Sequence, residues 1–65
     1  MDAVSAEAMY LVQGPDGRMS TVIARSLDGA KREYLTRNAR KLKKGAFFSI
    51  KLRDGADDFV HYKVQ

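Results

Sequence analysis

The stretch 26–45, SLDGAKREYLTRNARKLKKG, constrains the chain most. It is the one long segment with apolar residues at helical spacing, in a sequence otherwise patterned for strands. At about 100° per residue, Leu27, Ala30, Tyr34, Leu35, Ala39 and Leu42 fall on one side and define a core face. The opposite side presents Arg32, Thr36, Arg37, Arg40, Lys43 and Lys44, with Glu33 four residues ahead of Arg37, the spacing of a favourable surface pair. Lys31 and Asn38 project into the apolar stripe, where the lysine stem is expected to lie over the core edge with its ammonium in water.

The ends of this predicted helix carry their own signals. Ser26 is the expected N-cap, and Asp28 suits the positive pole of the helix dipole. Gly29 costs about 1 kcal/mol relative to alanine, which would move the regular start toward Ala30. At the other end Lys41, Lys43 and Lys44 complement the negative pole, and Gly45 can take the left-handed conformation that stops a helix.

Charge is concentrated in the same place. Within 31–44 seven basic residues (Lys31, Arg32, Arg37, Arg40, Lys41, Lys43 and Lys44) stand against the single acid Glu33, while the whole chain carries a formal charge of +4. The remainder is therefore net acidic, and an electrostatic account of function has to pass through this segment. A basic balance of this kind attracts polyanions without specifying a fold.

With 65 residues there is room for one domain and one small core, because a chain of this size buries only about 60% of its unfolded surface. The absence of cysteine removes disulfide frameworks and thiolate metal sites from consideration. No run approaches the roughly 18 apolar residues of a membrane span. The N-terminal MDAVSAEA has no basic segment followed by an apolar one, so the expected address is the cytoplasm. Residues 1–6 read as a flexible tail and 7–65 as a single domain.

Two hairpins flank the helix. The first pairs a strand over 7–13 with one over 18–25 around Gly14-Pro15-Asp16-Gly17, where proline presets φ and Gly17 can take positive φ. If Pro15, Asp16 and Gly17 form a three-residue loop, Tyr10 lies opposite Val22 and Leu11 opposite Thr21. One face then holds Ala8, Tyr10, Val12, Val22 and Ala24, and the other Met9, Leu11, Met19 and Ile23. Both faces are apolar, which a sheet with one wet face does not need.

The second hairpin runs from 46–53 to 59–64, with Phe48, Ile50 and Leu52 facing inward. Centring its turn on Ala56 pairs Ile50 with Tyr62 and Phe48 with Val64, and brings Val60 to the same inward face. The outer face carries Phe47, Lys51, Arg53, Phe59, His61 and Lys63. Rings interleaved with cations form the pattern of a single-stranded nucleic-acid platform, and phenylalanines at strand ends equally pack on a loop or a second subunit.

The resulting fold class is α+β, in the order β-β-α-β-β, with one helix packed on one face of a four-stranded, mainly antiparallel sheet. The inventory for catalysis is poor: one histidine, no cysteine and no glycine-rich phosphate loop. Asp54, Asp57 and Asp58 do not match the spacing of a calcium loop, so neither a metal nor a cofactor is expected. The expectation is a small non-enzymatic binding module that contacts nucleic-acid phosphates through Arg32, Arg37, Arg40, Lys43 and Lys44, with Lys41 and Lys51 at the margin. The alternative is a protein-interaction or inhibitory module, without membrane contact. It would act through a sheet edge or through Met9, Leu11, Met19 and Ile23, with Phe47 and Phe59 as further interface residues and a homodimer as one form.

Overall fold

The alternating segments become four strands, β1 (Ala8–Gln13), β2 (Met19–Ala24), β3 (Phe47–Leu52) and β4 (Val60–Lys63), and helix α1 (Leu27–Arg37) lies between β2 and β3. This computed structural model describes residues 6–65; the expected tail therefore lies outside the described residues except for Ala6. The sheet is antiparallel throughout, in the order β2-β1-β3-β4. The central strands β1 and β3 supply the largest fully buried side chains, Phe48, Ile50 and Val12.

The first hairpin has the expected register, with Tyr10 opposite Val22 and Leu11 opposite Thr21. Its loop closes through Gly14, whose N–H donates to the Arg18 carbonyl at 2.9 Å, and Gly17 takes the positive φ of 85° that the turn demands. Asp16 Oδ1 accepts from the Arg18 N–H at 3.0 Å, which fixes the turn from within.

The second hairpin differs from expectation by two residues. Ile50 pairs with Val60 and Phe48 with Tyr62, so the turn is not centred on Ala56. The chain turns immediately after β3, where the Gly55 N–H donates to the Leu52 carbonyl at 3.1 Å and any Cβ at Gly55 would meet the Leu52 side chain at 3.1 Å. The early turn leaves 56–59 as the slack in the loop. A shift of two preserves the pleat, so the inward residues remain those the alternation assigns.

Helix α1 begins at Leu27, earlier than the glycine led us to expect. The Ser26 side chain accepts from the Gly29 N–H at 3.0 Å, and Ala30 N–H donates to the Ser26 carbonyl at 2.9 Å. A Cβ at Gly29 would stand 3.3 Å from Ser26 Oγ and 3.6 Å from the Ala24 side chain, so the first turn lies close to β2.

The other end is a correction: α1 stops at Arg37 and does not reach Gly45. Asn38 is the reason. Its side-chain amide donates to the Tyr34 carbonyl at 2.8 Å while its own backbone N–H donates to the same oxygen at 3.1 Å, the local competition by which asparagine ends helices. The chain then makes one separate turn, with the N–H groups of Lys41 and Leu42 donating to the Asn38 carbonyl at 2.9 and 3.0 Å. Gly45 does take positive φ, 89°, but in the turn that enters β3.

The core lies between α1 and the sheet. Tyr34 packs on Phe48 with ring centroids 5.0 Å apart, and Phe48 on Tyr62 at 5.4 Å, tying helix, central strand and edge strand together. Ala30 and Tyr34 are the buried helix residues, while Leu27, Leu35 and Leu42 are half-buried at the margin. Ala39, expected in the core face, is exposed because the helical phase ends before it. Leu52 faces the helix side but stays exposed, beyond the cover that α1 provides.

Candidate nucleic-acid interface

The seven cations assigned to phosphate contact, five on the strip and two at its margin, fall into three groups. Two belong to the helix and are paired there: Arg32 Nη2 lies 3.3 Å from Asp28 Oδ2, and Arg37 Nε lies 2.7 Å from Glu33 Oε2. These four side chains cancel in charge, leaving Lys31 as the uncompensated cation of α1 among the described residues. Lys51 is on the opposite side of the sheet from the helix, on the outward row with Leu11. A single basic helix face is therefore not what the fold builds.

Arg40, Lys41, Lys43 and Lys44 form the third group, in the acid-free link between α1 and β3, and all four are exposed. Among the described residues none of them makes an ion pair. Gly45 N–H donates to the Val64 carbonyl and Val64 N–H to the Ala46 carbonyl, both at 2.8 Å, so the link is fastened to the end of β4. Lys63 of β4 thereby joins Lys44 and Lys31 around a concavity of about 400 Å³ floored by Leu35, Ala39, Leu42 and Val64.

Topology adds to this concentration. Because β1 and β3 are antiparallel with Gln13 opposite Ser49, the turn after β1 lies at the same end of the sheet as the link. Its acid, Asp16, is 3.6 Å from Arg18, and Lys41 lines a second cleft of about 330 Å³ with Gly14, Asp16 and Tyr34. Asp54, Asp57 and Asp58 sit in the turn at the far end of the β3–β4 hairpin, about 20 Å away at 3.4 Å per strand residue. One end of the molecule is cationic and the other acidic. Arg53, at the acidic end, lies 3.5 Å from Asp54.

The outward sheet face divides into two halves. On β1 and β2, Met9 pairs with Ile23 and Leu11 with Thr21, and Met19 and Ile23 are 50% and 56% exposed. The sequence-assigned apolar residues Met9, Leu11, Met19 and Ile23 are thus brought together. On β3 and β4, Phe47 pairs with Lys63 and Ser49 with His61. Phe47 is 64% exposed with the Lys63 ammonium over its ring, 5.9 Å from the ring centre, and Phe59, half-buried, precedes β4. Ser49 Oγ and His61 Nδ1 share a hydrogen bond at 2.7 Å, which orients this histidine.

Lys31 and Lys63 lie outside the residues assigned from sequence to phosphate contact, although Lys63 is on the expected outer face. Lys31 reads as a core-edge lysine, and its ammonium does lie 5.1 Å from the Tyr62 ring centre, but it also faces the basic concavity. Lys63 joins Phe47 only in the observed register; the expected one places it two residues away. Burial raises the hydroxyl pKa of Tyr34, with Asp16 adding to the shift, and burial followed by Asp28 does the same for Tyr62. Among the described residues no group of three carboxylate, histidine or cysteine side chains could hold a metal ion, and no helix is long and apolar enough to cross a membrane.

No family model, curated protein or solved structure matches the chain. Function has to be reasoned from the geometry of the fold and its charges.

Proposed function

We propose that the protein is a small non-enzymatic module that binds nucleic acid through its backbone phosphates, acting in the cytoplasm. The observation that carries the reading is the collection of Arg40, Lys41, Lys43 and Lys44 with Lys31 and Lys63 at one end of the fold, with the link cations free of ion pairs among the described residues. Cations without carboxylate partners release the counterions of a polyanion when they meet it, and that release supplies sequence-independent affinity. The C-terminus of α1 is no obstacle, because its negative pole is already faced by these lysines.

The test is a salt titration of binding to generic single- and double-stranded oligonucleotides, with the native protein and with the triple variant Arg40→Gln, Lys43→Gln, Lys44→Gln. Every phosphate that the variant no longer neutralises should flatten the slope of log K against log salt by about 0.7 on single strands and 0.9 on duplex. An unchanged slope would move the site away from the link.

Protein association is a second reading, favoured by the exposure of Met19 and Ile23 beside the free edge of β2. It concerns the other half of the outward face. The two readings can therefore be separated by substitution.

A further inference from the structure

We infer that the outward face of β3 and β4 is a base-stacking platform, so that the nucleic acid this protein takes is single-stranded. The inference rests on the phosphate-binding reading and adds the part of the nucleotide that phosphate contacts ignore.

Four features point the same way. Phe47 presents an open ring at the cationic end of the face, 64% exposed, where it starts β3 directly after the basic link. Lys63, across from it, holds its ammonium over the Phe47 ring, 5.9 Å from the ring centre, a cation at the ring that would carry the base. His61 is diagonal to Phe47 on the same face, with its ring held through Nδ1 by Ser49. Finally, no outward-facing position within the four strands is acidic.

Diagonal neighbours on adjacent strands, as Phe47 and His61 are, stand about 7–8 Å apart, which leaves room for successive splayed bases. A duplex keeps its bases inside its own stack and cannot use such a surface, whereas every unpaired base offers a π-face to a ring. Phosphate contacts alone would not distinguish the two forms by their bases. The platform predicts that the protein does.

The experiment compares three probes by fluorescence anisotropy: oligo(dT) of about a dozen nucleotides, within the usual span of such sites, an abasic strand of the same length, and a duplex. Phe47→Leu keeps an apolar, exposed side chain, and its thermal melt serves as the folding control. We expect the native protein to favour oligo(dT) over the abasic strand. Phe47→Leu should weaken oligo(dT) binding about 5- to 150-fold, the worth of one stacked base, while abasic and duplex affinities and the salt slope stay as they were. No loss on oligo(dT), or an equal loss on all three probes, overturns the platform and leaves the phosphate reading standing. Failure of the native protein to bind any of the three at low salt overturns both. A protein ligand that needs Phe47 when oligo(dT) does not would assign this face to protein association.

Discussion

A methyl group added at Gly14 tests how tightly the helix is seated on the first hairpin. A Cβ there would lie 2.8 Å from the Tyr34 hydroxyl oxygen, closer than side chains tolerate, with Asp16 Oδ1 at 3.4 Å and the Arg18 carbonyl at 3.8 Å as the next neighbours. Tyr34 cannot simply swing aside, since its ring is buried and packed on Phe48. Gly14 does not have positive φ, so alanine is free of backbone strain there and would gain about 0.4–1 kcal/mol by stiffening the unfolded chain. The overpacking penalty of about 1–3 kcal/mol exceeds that gain, so Gly14→Ala should destabilise. In a Tyr34→Phe background the offending oxygen is gone and the remaining neighbours sit at ordinary distances. The same substitution should there stabilise by about 0.4–1 kcal/mol. A double-mutant cycle read by urea denaturation measures this directly, with an m-value of about 1 kcal/mol/M converting the clash into a midpoint shift of roughly 1–3 M between the two backgrounds. An effect of the same sign and size in both backgrounds would refute the seating of Tyr34 over Gly14.

Other substitutions probe the core, the charges and the open face. Ile50→Ala should cost about 2–5 kcal/mol, a large part of the roughly 3–10 kcal/mol expected for about 65 residues, while Leu35→Ala at its half-buried site should cost clearly less; urea midpoints decide the order. Arg37→Gln should flatten the salt slope less than Lys44→Gln, because Glu33 already occupies Arg37. Burial favours the neutral hydroxyls of Tyr34 and Tyr62 and raises their folded pKa values above the ordinary value near 10. Their contribution is fully present below the unfolded value and is lost as pH rises through the raised folded values, so thermal stability should hold to about pH 9 and then fall. Light scattering across concentrations should show self-association if the Met9–Ile23 half joins two copies, and Ile23→Lys should abolish it with the fold intact; a native protein that is monomeric throughout removes the homodimer.

Which parts of this structure could be read from sequence follows from the range of the interaction that decides each part. Gly14-Pro15-Asp16-Gly17 closes its hairpin by contacts within five residues, so loop length alone set the register of β1 and β2. Pleat parity in β3 and β4 was equally local. Their register was not, because Gly55 turns under the Leu52 side chain and the acidic loop contains no proline to mark where it starts. The order β2-β1-β3-β4 depends on which strands bury most deeply, a property of the assembled sheet.

The helix end shows most clearly how one local hydrogen bond alters a functional reading. Residues through Lys44 have good helical spacing and favourable dipole complementarity, so counting charges along the segment yields a cationic helix face. Asn38 instead captures the Tyr34 carbonyl at 2.8 Å, and the chain leaves the helical phase with four of the seven cations still to come. Those four then follow the link to the end of β4, where Lys63, distant in sequence, meets Lys44. The same event moves the basic surface from the helix side toward the end of the sheet where β3 starts with Phe47. Replacing Asn38 with alanine removes the competing amide and should lengthen α1, read as added helical ellipticity in the far-ultraviolet circular dichroism in proportion to the residues gained. If phosphate binding depends on the link as it is folded here, that variant should lose affinity despite keeping every charge. Unchanged affinity in a lengthened helix would show that the cations act by number and not by place.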